Sequence, residues 1–208
     1  RLHAQTKGAL FVRDGQEVTL EQQIAVKSGE FLDQWGVGRS HFVFDGSMRA
    51  GISTEMIKVL GSQVNGLDFG SKPSQRMDLS GKKEARDLYS NLVTEMYFNF
   101  ARVVQSGQFR GAGKIPTAIA QVCRRLWKSG KNDVKAIETK DDYKKAHQGH
   151  SPDDADVLVM GLEAAIRAGF MEVPRGRPGG EGGINKIRQM IADSPMFRKK
   201  TVKQLNHA

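Results

Sequence analysis

The sequence predicts an α/β domain built on a mixed sheet. Three observations lead there. An Asp-Gly pair, Asp14-Gly15, sits between two strand-like runs near the start of the chain. An apolar run, His41-Phe-Val-Phe-Asp45-Gly46, has the composition of a buried strand that ends in an acid and a glycine. Helical patterns then alternate with short apolar segments along the rest of the chain, the mark of helices laid on a sheet.

The elements follow in order. Residues 9–12 and 18–26 flank Arg13-Asp14-Gly15 and read as a hairpin, because glycine accepts positive φ at no steric cost. A short helix is expected over 29–35. Residues 41–46 are the strand just named, with Asp45 at its carboxyl end. A helix over 53–60 sets Met56, Ile57 and Leu60 on one face, with Gly61 as its stop. Residues 64–69 read as another short strand. Residues 71–83 are polar, contain Pro73 and Gly81, and read as a mobile loop. A long helix over 84–105 is marked by Leu88, Leu92, Met96, Phe100 and Val103, and Gly107 closes it. A further helix is expected over 115–127 and a strand over 133–138, with Ser129-Gly130 as a turn.

The clearest helix start is Ser151-Pro-Asp-Asp154. Serine suits the N-cap, proline the first helical position, and acids the first turn. This helix runs to about residue 168, before Gly169. Residues 173–185 are rich in Gly and Pro and read as a flexible linker. Residues 186–208 form a basic tail, within which a short amphipathic helix is plausible from Ile184 onward. The expected organisation is therefore one domain over 1–172, the linker, and the tail. No internal repeat is seen.

The composition narrows the function. The chain has 208 residues, is 38% hydrophobic and 26% charged, and can bury a core. No apolar run approaches the roughly 18 residues needed to span a bilayer, so no membrane partner is expected. Residues 1–10 are mixed and polar, unlike a secretory signal. A single cysteine, Cys123, excludes an internal disulfide framework and a cysteine-rich zinc site. Cys123 reads as a buried apolar residue on a helix. The net charge of +9 is unevenly spread. From Pro174 on, eight Lys/Arg face two acids, a balance of +6, while the first 173 residues have 24 against 21, or +3.

Two tempting motifs fail. Gly111-Ala-Gly-Lys114 lacks the earlier glycine of a phosphate loop, having Gln108 there, and has Ile115 in place of the Ser or Thr that would hold Mg²⁺. No nucleotide site is expected. The five histidines show no metal-ligand spacing.

The acids carry the chemistry. Asp45 stands at a strand end, where α/β folds place ligands. Asp153 and Asp156 are three apart, so they share a helix face. Such carboxylates suit Mg²⁺ or Mn²⁺, which prefer oxygen ligands. First-turn acids also stabilise exposed helix N–H groups, which explains Asp153 and Asp154 equally well. Asp156 lies past the first turn and precedes Val157-Leu-Val-Met160, so a carboxylate there is half buried and needs a partner.

At these residues a resemblance enters. Gly149-His-Ser-Pro-Asp-Asp-Ala-Asp-Val-Leu-Val-Met160 resembles the C-terminal helix signature of viral terminase large subunits. Ile137-Glu-Thr-Lys140, with Asp142 and Lys145, resembles the approach to it. Phe42-Val-Phe-Asp45 with Gly51 is similar to the strand bearing the family's second catalytic acid. Tyr89-Ser-Asn-Leu-Val-Thr-Glu-Met-Tyr97 resembles the helix after the sheet, with Val93 where that helix usually has a basic residue. The match covers residues 40–170.

The resemblance implies an RNase H-like mixed sheet flanked by helices, here with a flexible basic C-terminal tail. It implies a two-metal endonuclease that cuts concatemeric double-stranded DNA during genome packaging by a tailed bacteriophage, in the host cell cytoplasm. Asp45, Asp153 and Asp156 would be catalytic acids and ligands of Mg²⁺ or Mn²⁺, with Asp154 an alternative to Asp153. Arg49, Lys72, Arg76, Lys82, Lys83 and Lys140 would contact DNA phosphates. The implied partners are viral DNA, an N-terminal ATPase domain of the same polypeptide (which this chain lacks), the portal and the small terminase subunit. The family's first catalytic acid lies on the first strand. Nothing acidic precedes Asp14 here, and Asp14 suits the turn, so that acid is expected upstream of Arg1 or the site is incomplete. Two other functions share these features: a junction resolvase of the same fold, and a non-catalytic module docking DNA or the portal.

Overall fold

The computed structural model describes residues 12–13, 16–47, 51–77 and 83–170. Arg49, Lys82, the linker over 173–185 and the basic tail over 186–208 lie outside the described residues. The described residues fall into two compact units. One draws on Arg1–Ser71 and Met160–Met171, the other on Lys72–Val159.

In the first unit the expected hairpin is represented by a short antiparallel pair. Strand β1 (Val12–Arg13) pairs antiparallel with β2 (Gln16–Glu17). The second strand expected over 18–26 is instead the start of helix α1 (Leu20–Gln34), which also absorbs the short helix expected over 29–35. A capping box explains the change. Thr19 accepts the N–H of Gln22 through its hydroxyl, and Gln22 accepts the N–H of Thr19 through its side chain. From that start, Ala25, Ser28, Gly29 and Leu32 share a buried face at helical spacing. The far end closes with Gly36 at φ +64 and the Val37 N–H bonded to the Leu32 carbonyl at 2.9 Å, the six-to-one bond of a Schellman cap.

Strand β3 (Val43–Asp45), helix α2 (Ile52–Leu60) and strand β4 (Asn65–Leu67) then make a βαβ unit. The strands are parallel, with Val43 opposite Asn65, Phe44 opposite Gly66 and Asp45 opposite Leu67. A Cβ at Gly66 would lie 3.0 Å from the Phe44 ring, so a larger residue there would require the ring to shift. Helices α1 and α2 pack together and enclose a core of Ala25, Leu32, Phe44, Ile52, Met56, Leu60 and Val64.

In the second unit, the long helix expected over 84–105 is two helices, α3 (Ala85–Leu88) and α4 (Leu92–Gln105). The break has a local cause. Asn91 caps α4 by accepting the N–H of Thr94, and Tyr89 takes an extended conformation that bridges to Lys135. Helix α4 is the unit's centre, with Leu92, Val93, Met96, Tyr97, Phe100 and Val103 all buried. Helix α5 (Pro116–Arg124) opens with proline and ends three residues short of the expected limit. There β5 (Trp127–Ser129) begins, pairing antiparallel with β6 (Lys135–Ile137). Thr94, fully buried, accepts the Ile137 N–H through its hydroxyl at 3.1 Å and so ties β6 to α4.

Helix α6 (Lys140–Ala146) follows, capped by Thr139. Last comes α7 (Asp153–Arg167), which ends at Gly169 as the sequence predicts, with φ +73 and the Phe170 N–H bonded to the Ala165 carbonyl. Among the described residues one strand pair is parallel (β3–β4) and two are antiparallel (β1–β2 and β5–β6), so the fold is mixed α/β, with seven α-helices. None of these helices is long and apolar enough to cross a membrane.

Candidate metal and DNA site

Asp156 is the most constrained of the expected acids. It sits in the first turn of α7, not past it as the sequence suggests, and is 4% exposed. A carboxylate at that depth is costly unless polar groups meet it. Two do. The Tyr97 hydroxyl, reaching across from α4, donates to Asp156 Oδ1 at 2.8 Å. The Lys140 ammonium lies 2.8 Å from Oδ2, as an ion pair without hydrogen-bond alignment. The same ammonium lies 3.8 Å from Asp153 Oδ1. The structure thus brings Asp153 and Asp156 together on one cation.

Local sequence explains why Lys140 is there. Thr139 caps α6 by accepting the Asp142 N–H, so the chain turns from β6 into helix at once and Lys140 becomes the first helical residue. The sequence suggests a DNA phosphate as its partner. The structure adds a pair of carboxylates from the chain itself.

The entry to α7 is held by side chains. Asp156 donates its N–H to the Pro152 carbonyl at 3.0 Å. Ser151, expected as the cap, instead donates its hydroxyl to the Asp153 carboxylate at 2.6 Å. Gln121 of α5 accepts the Ala155 N–H at 2.9 Å and reaches Asp154 with its amide nitrogen at 3.5 Å. Asp154 therefore belongs with the helix-start contacts and points to Gln121, not to Lys140.

Three residues of the second unit escape the sequence reading. Tyr97 stands out in the sequence only as one residue of its helix. Its phenol is pushed far above the usual range, first by burial and then by the Asp156 carboxylate, so it stays a hydrogen-bond donor. Arg125 is 8% exposed and stacks its guanidinium over Tyr97 at 5.2 Å and Tyr143 at 5.6 Å. Its Nε and Nη1 are buried without a hydrogen-bond partner. The visible signal is an Arg124-Arg125 pair at the end of an amphipathic helix, which reads equally as surface charge. Glu95 is the third, a 1% exposed carboxylate on a helix whose buried residues are mostly apolar. Cys123, expected to be buried, is exposed on α5.

In the first unit, Asp45 ends β3 as expected. Its Oδ1 accepts the Ser47 N–H at 3.0 Å and the Ser47 hydroxyl at 2.6 Å, which turns the chain away from the strand. Among the described residues, no three His, Cys, Asp or Glu side chains gather as a metal cage. Of the expected DNA contacts, Lys72 and Lys83 are exposed and Arg76 is a third exposed, all in the second unit.

No protein-family model and no curated protein matches the chain. Solved structures do. The nuclease domain of the large terminase subunit gp2 of bacterial virus Sf6 is similar at 17% identity and TM-score 0.53, over 68% of this chain and 71% of that one. A point mutant of that domain with manganese is similar at 17% identity and TM-score 0.53, over 71% and 76%. The same mutant with calcium matches at 17% and TM-score 0.53, over 71% and 75%. The fold read from the motifs at Asp45, Lys140 and Asp156 is thus the fold found: the chain has the RNase H-like fold of a viral large-terminase nuclease domain.

Proposed function

We propose that the chain is a divalent-metal-dependent endonuclease domain of a viral DNA-packaging motor. It would cleave concatemeric double-stranded DNA in the host cell cytoplasm. The observation that carries this reading is the buried Asp156 carboxylate, held by Tyr97 and paired with Lys140 beside Asp153. A buried acid with a dedicated tyrosine donor is an expensive arrangement to maintain for stability alone.

The donor set suits Mg²⁺ or Mn²⁺. Carboxylate oxygens are their preferred ligands, and Asp156 Oδ2 already tolerates a positive charge, the Lys140 ammonium, at 2.8 Å. Asp45, Asp153 and Asp156 are the proposed acids. Bound ions of this kind activate water and stabilise the leaving oxygen of a phosphodiester. The chain's own groups set the stage. Tyr97 fixes the rotation of the Asp156 carboxylate, Lys140 offsets one of the two negative charges of Asp153 and Asp156, and Lys72, Arg76 and Lys83 offer charge to the DNA backbone. Contacts of that sort are made to phosphate, so little sequence preference is expected. The portal, the small terminase subunit and an ATPase domain are the proposed partners.

Incubation with supercoiled plasmid and Mn²⁺ tests the reading. Wild type should nick it, and Asp156→Ala and Asp45→Ala should not. Equal nicking by all three would sink the site assignment.

A further inference from the structure

Helix α4 contains a second buried carboxylate, one that no step above uses. Glu95 lies two residues before Tyr97 and is 1% exposed. Both of its oxygens are engaged by one residue of the segment between β4 and α3. Oε2 accepts the Ser74 N–H at 2.6 Å, and Oε1 accepts the Ser74 hydroxyl at 2.6 Å. Hydrogen bonds to an ionised acceptor are short and strong, and two from one residue fix its orientation as well as its position.

The stitching continues outward. The Ser74 hydroxyl oxygen accepts the Arg76 N–H at 3.2 Å, and the Arg76 carbonyl accepts the Ala85 N–H at 2.8 Å. Met77 bridges Glu84. This polar stretch, which the sequence marks as a mobile loop, is therefore anchored at Ser74 to α4 and at residues 76–77 to the start of α3. The anchored residue is flanked by cations. Lys72 is exposed, and Arg76 keeps a third of its side chain open with Nη1 4.0 Å from Glu95 Oε1.

One helix thus holds two things at once. Through Tyr97 it holds the Asp156 carboxylate, and through Glu95 it holds the basic segment. We propose that Glu95 is a positioning residue that fixes Lys72 and Arg76 as a phosphate-binding pair in constant register with Asp156. The inference rests on the DNA-cleaving function proposed above. Its physical content is geometric: contacts to phosphate position a duplex, and displacement of about an ångström at the reacting centre is enough to slow chemistry.

The test uses the full chain and three variants: Glu95→Gln, Ser74→Ala and the double change Lys72→Ala/Arg76→Ala. Glutamine keeps one acceptor but turns an N–H₂ group toward the Ser74 donors, so the clamp opens without a change in volume. Binding of a fluorescent duplex is measured in EDTA across a salt series, Mn²⁺ binding by calorimetry, and plasmid cleavage by its KM and kcat. Glu95→Gln and Ser74→Ala should each weaken duplex binding on the order of tenfold. They should raise KM and lower kcat, since the bound duplex loses its register, with Mn²⁺ binding kept. Adding Glu95→Gln to the double change should cost little more, since both act through the same phosphates. The double change itself should lower the salt slope by about 0.9 for each phosphate no longer neutralised. If Glu95→Gln and Ser74→Ala bind duplex like wild type, Glu95 is structural only and the inference is overturned while the nuclease reading stands. If wild type neither binds duplex nor cuts plasmid, that reading falls and takes the inference with it.

Discussion

At the scale of single residues, Asp156 and Tyr97 behave as a unit. The tyrosine hydroxyl is the hydrogen-bond donor to Oδ1, so Tyr97→Phe leaves a buried carboxylate oxygen unmet. That should cost about 1–3 kcal/mol, read from urea denaturation. Proton linkage adds a second signature. An unperturbed phenol titrates near about pH 10, and burial together with Asp156 raises Tyr97 above that. A group whose folded pKa is raised contributes fully below its unfolded pKa and loses that contribution as pH climbs toward the folded one. Neutral pH therefore leaves the hydrogen bond intact, and stability should fall as pH rises past about 10. Circular dichroism across alkaline pH should show a shallower fall for Tyr97→Phe than for wild type. Parallel curves would mean that some other group governs the alkaline loss.

Among the elements, α4 does the most. Its buried Thr94 receives the Ile137 N–H at 3.1 Å, so the helix supplies a hydrogen bond that no strand supplies to β6. Thr94→Val keeps the shape and removes the acceptor. It should destabilise by about 1–3 kcal/mol, and the amide of Ile137 should exchange faster with solvent. Much of this level was legible in the sequence. The strand ending at Asp45, the α2 helix with its Gly61 stop, and the α7 helix with its acids all follow from apolar spacing and punctuation. Helix α1 did not. Its apolar residues are few, and residues 18–26 begin with Val18 and carry Ile24 and Val26, which read as strand. What decided the matter was reciprocal capping by Thr19 and Gln22 and burial against α2. The break at residues 89–91 was hidden for a similar reason. The apolar spacing continues across it, and only the Tyr89 bridge to Lys135 shows why the helix stops. The strand-end place of Asp45 and the burial of Asp156 were readable because an acid beside an apolar run is conspicuous. Arg125 and Glu95 were not, because a charge on an amphipathic helix reads as solvated until its surroundings are known.

Over the whole molecule, charge and covalent distance matter most. The net +9 divides into +3 for the first 173 residues and +6 for the remainder. The acids proposed for metal all lie in the first part. A chain truncated after Val173 should bind Mn²⁺ as the full chain does, yet bind duplex DNA more weakly and with a smaller salt slope. Loss of Mn²⁺ binding on truncation, measured by calorimetry, would contradict that division. Covalent distance has a consequence of another kind, in time. The side-chain bonds that shape the second unit's acid cluster are far-reaching: Tyr97 to Asp156 spans 59 residues and Gln121 to Ala155 spans 34. Neither can form while the chain is only locally ordered, and pairings of such separation are made late in folding. The first turn of α7 can wind on its own, but its Ala155 amide waits for a glutamine from another helix. The hydrogen bonds that hold the start of α7 thus depend on α4 and α5 being in place beside it.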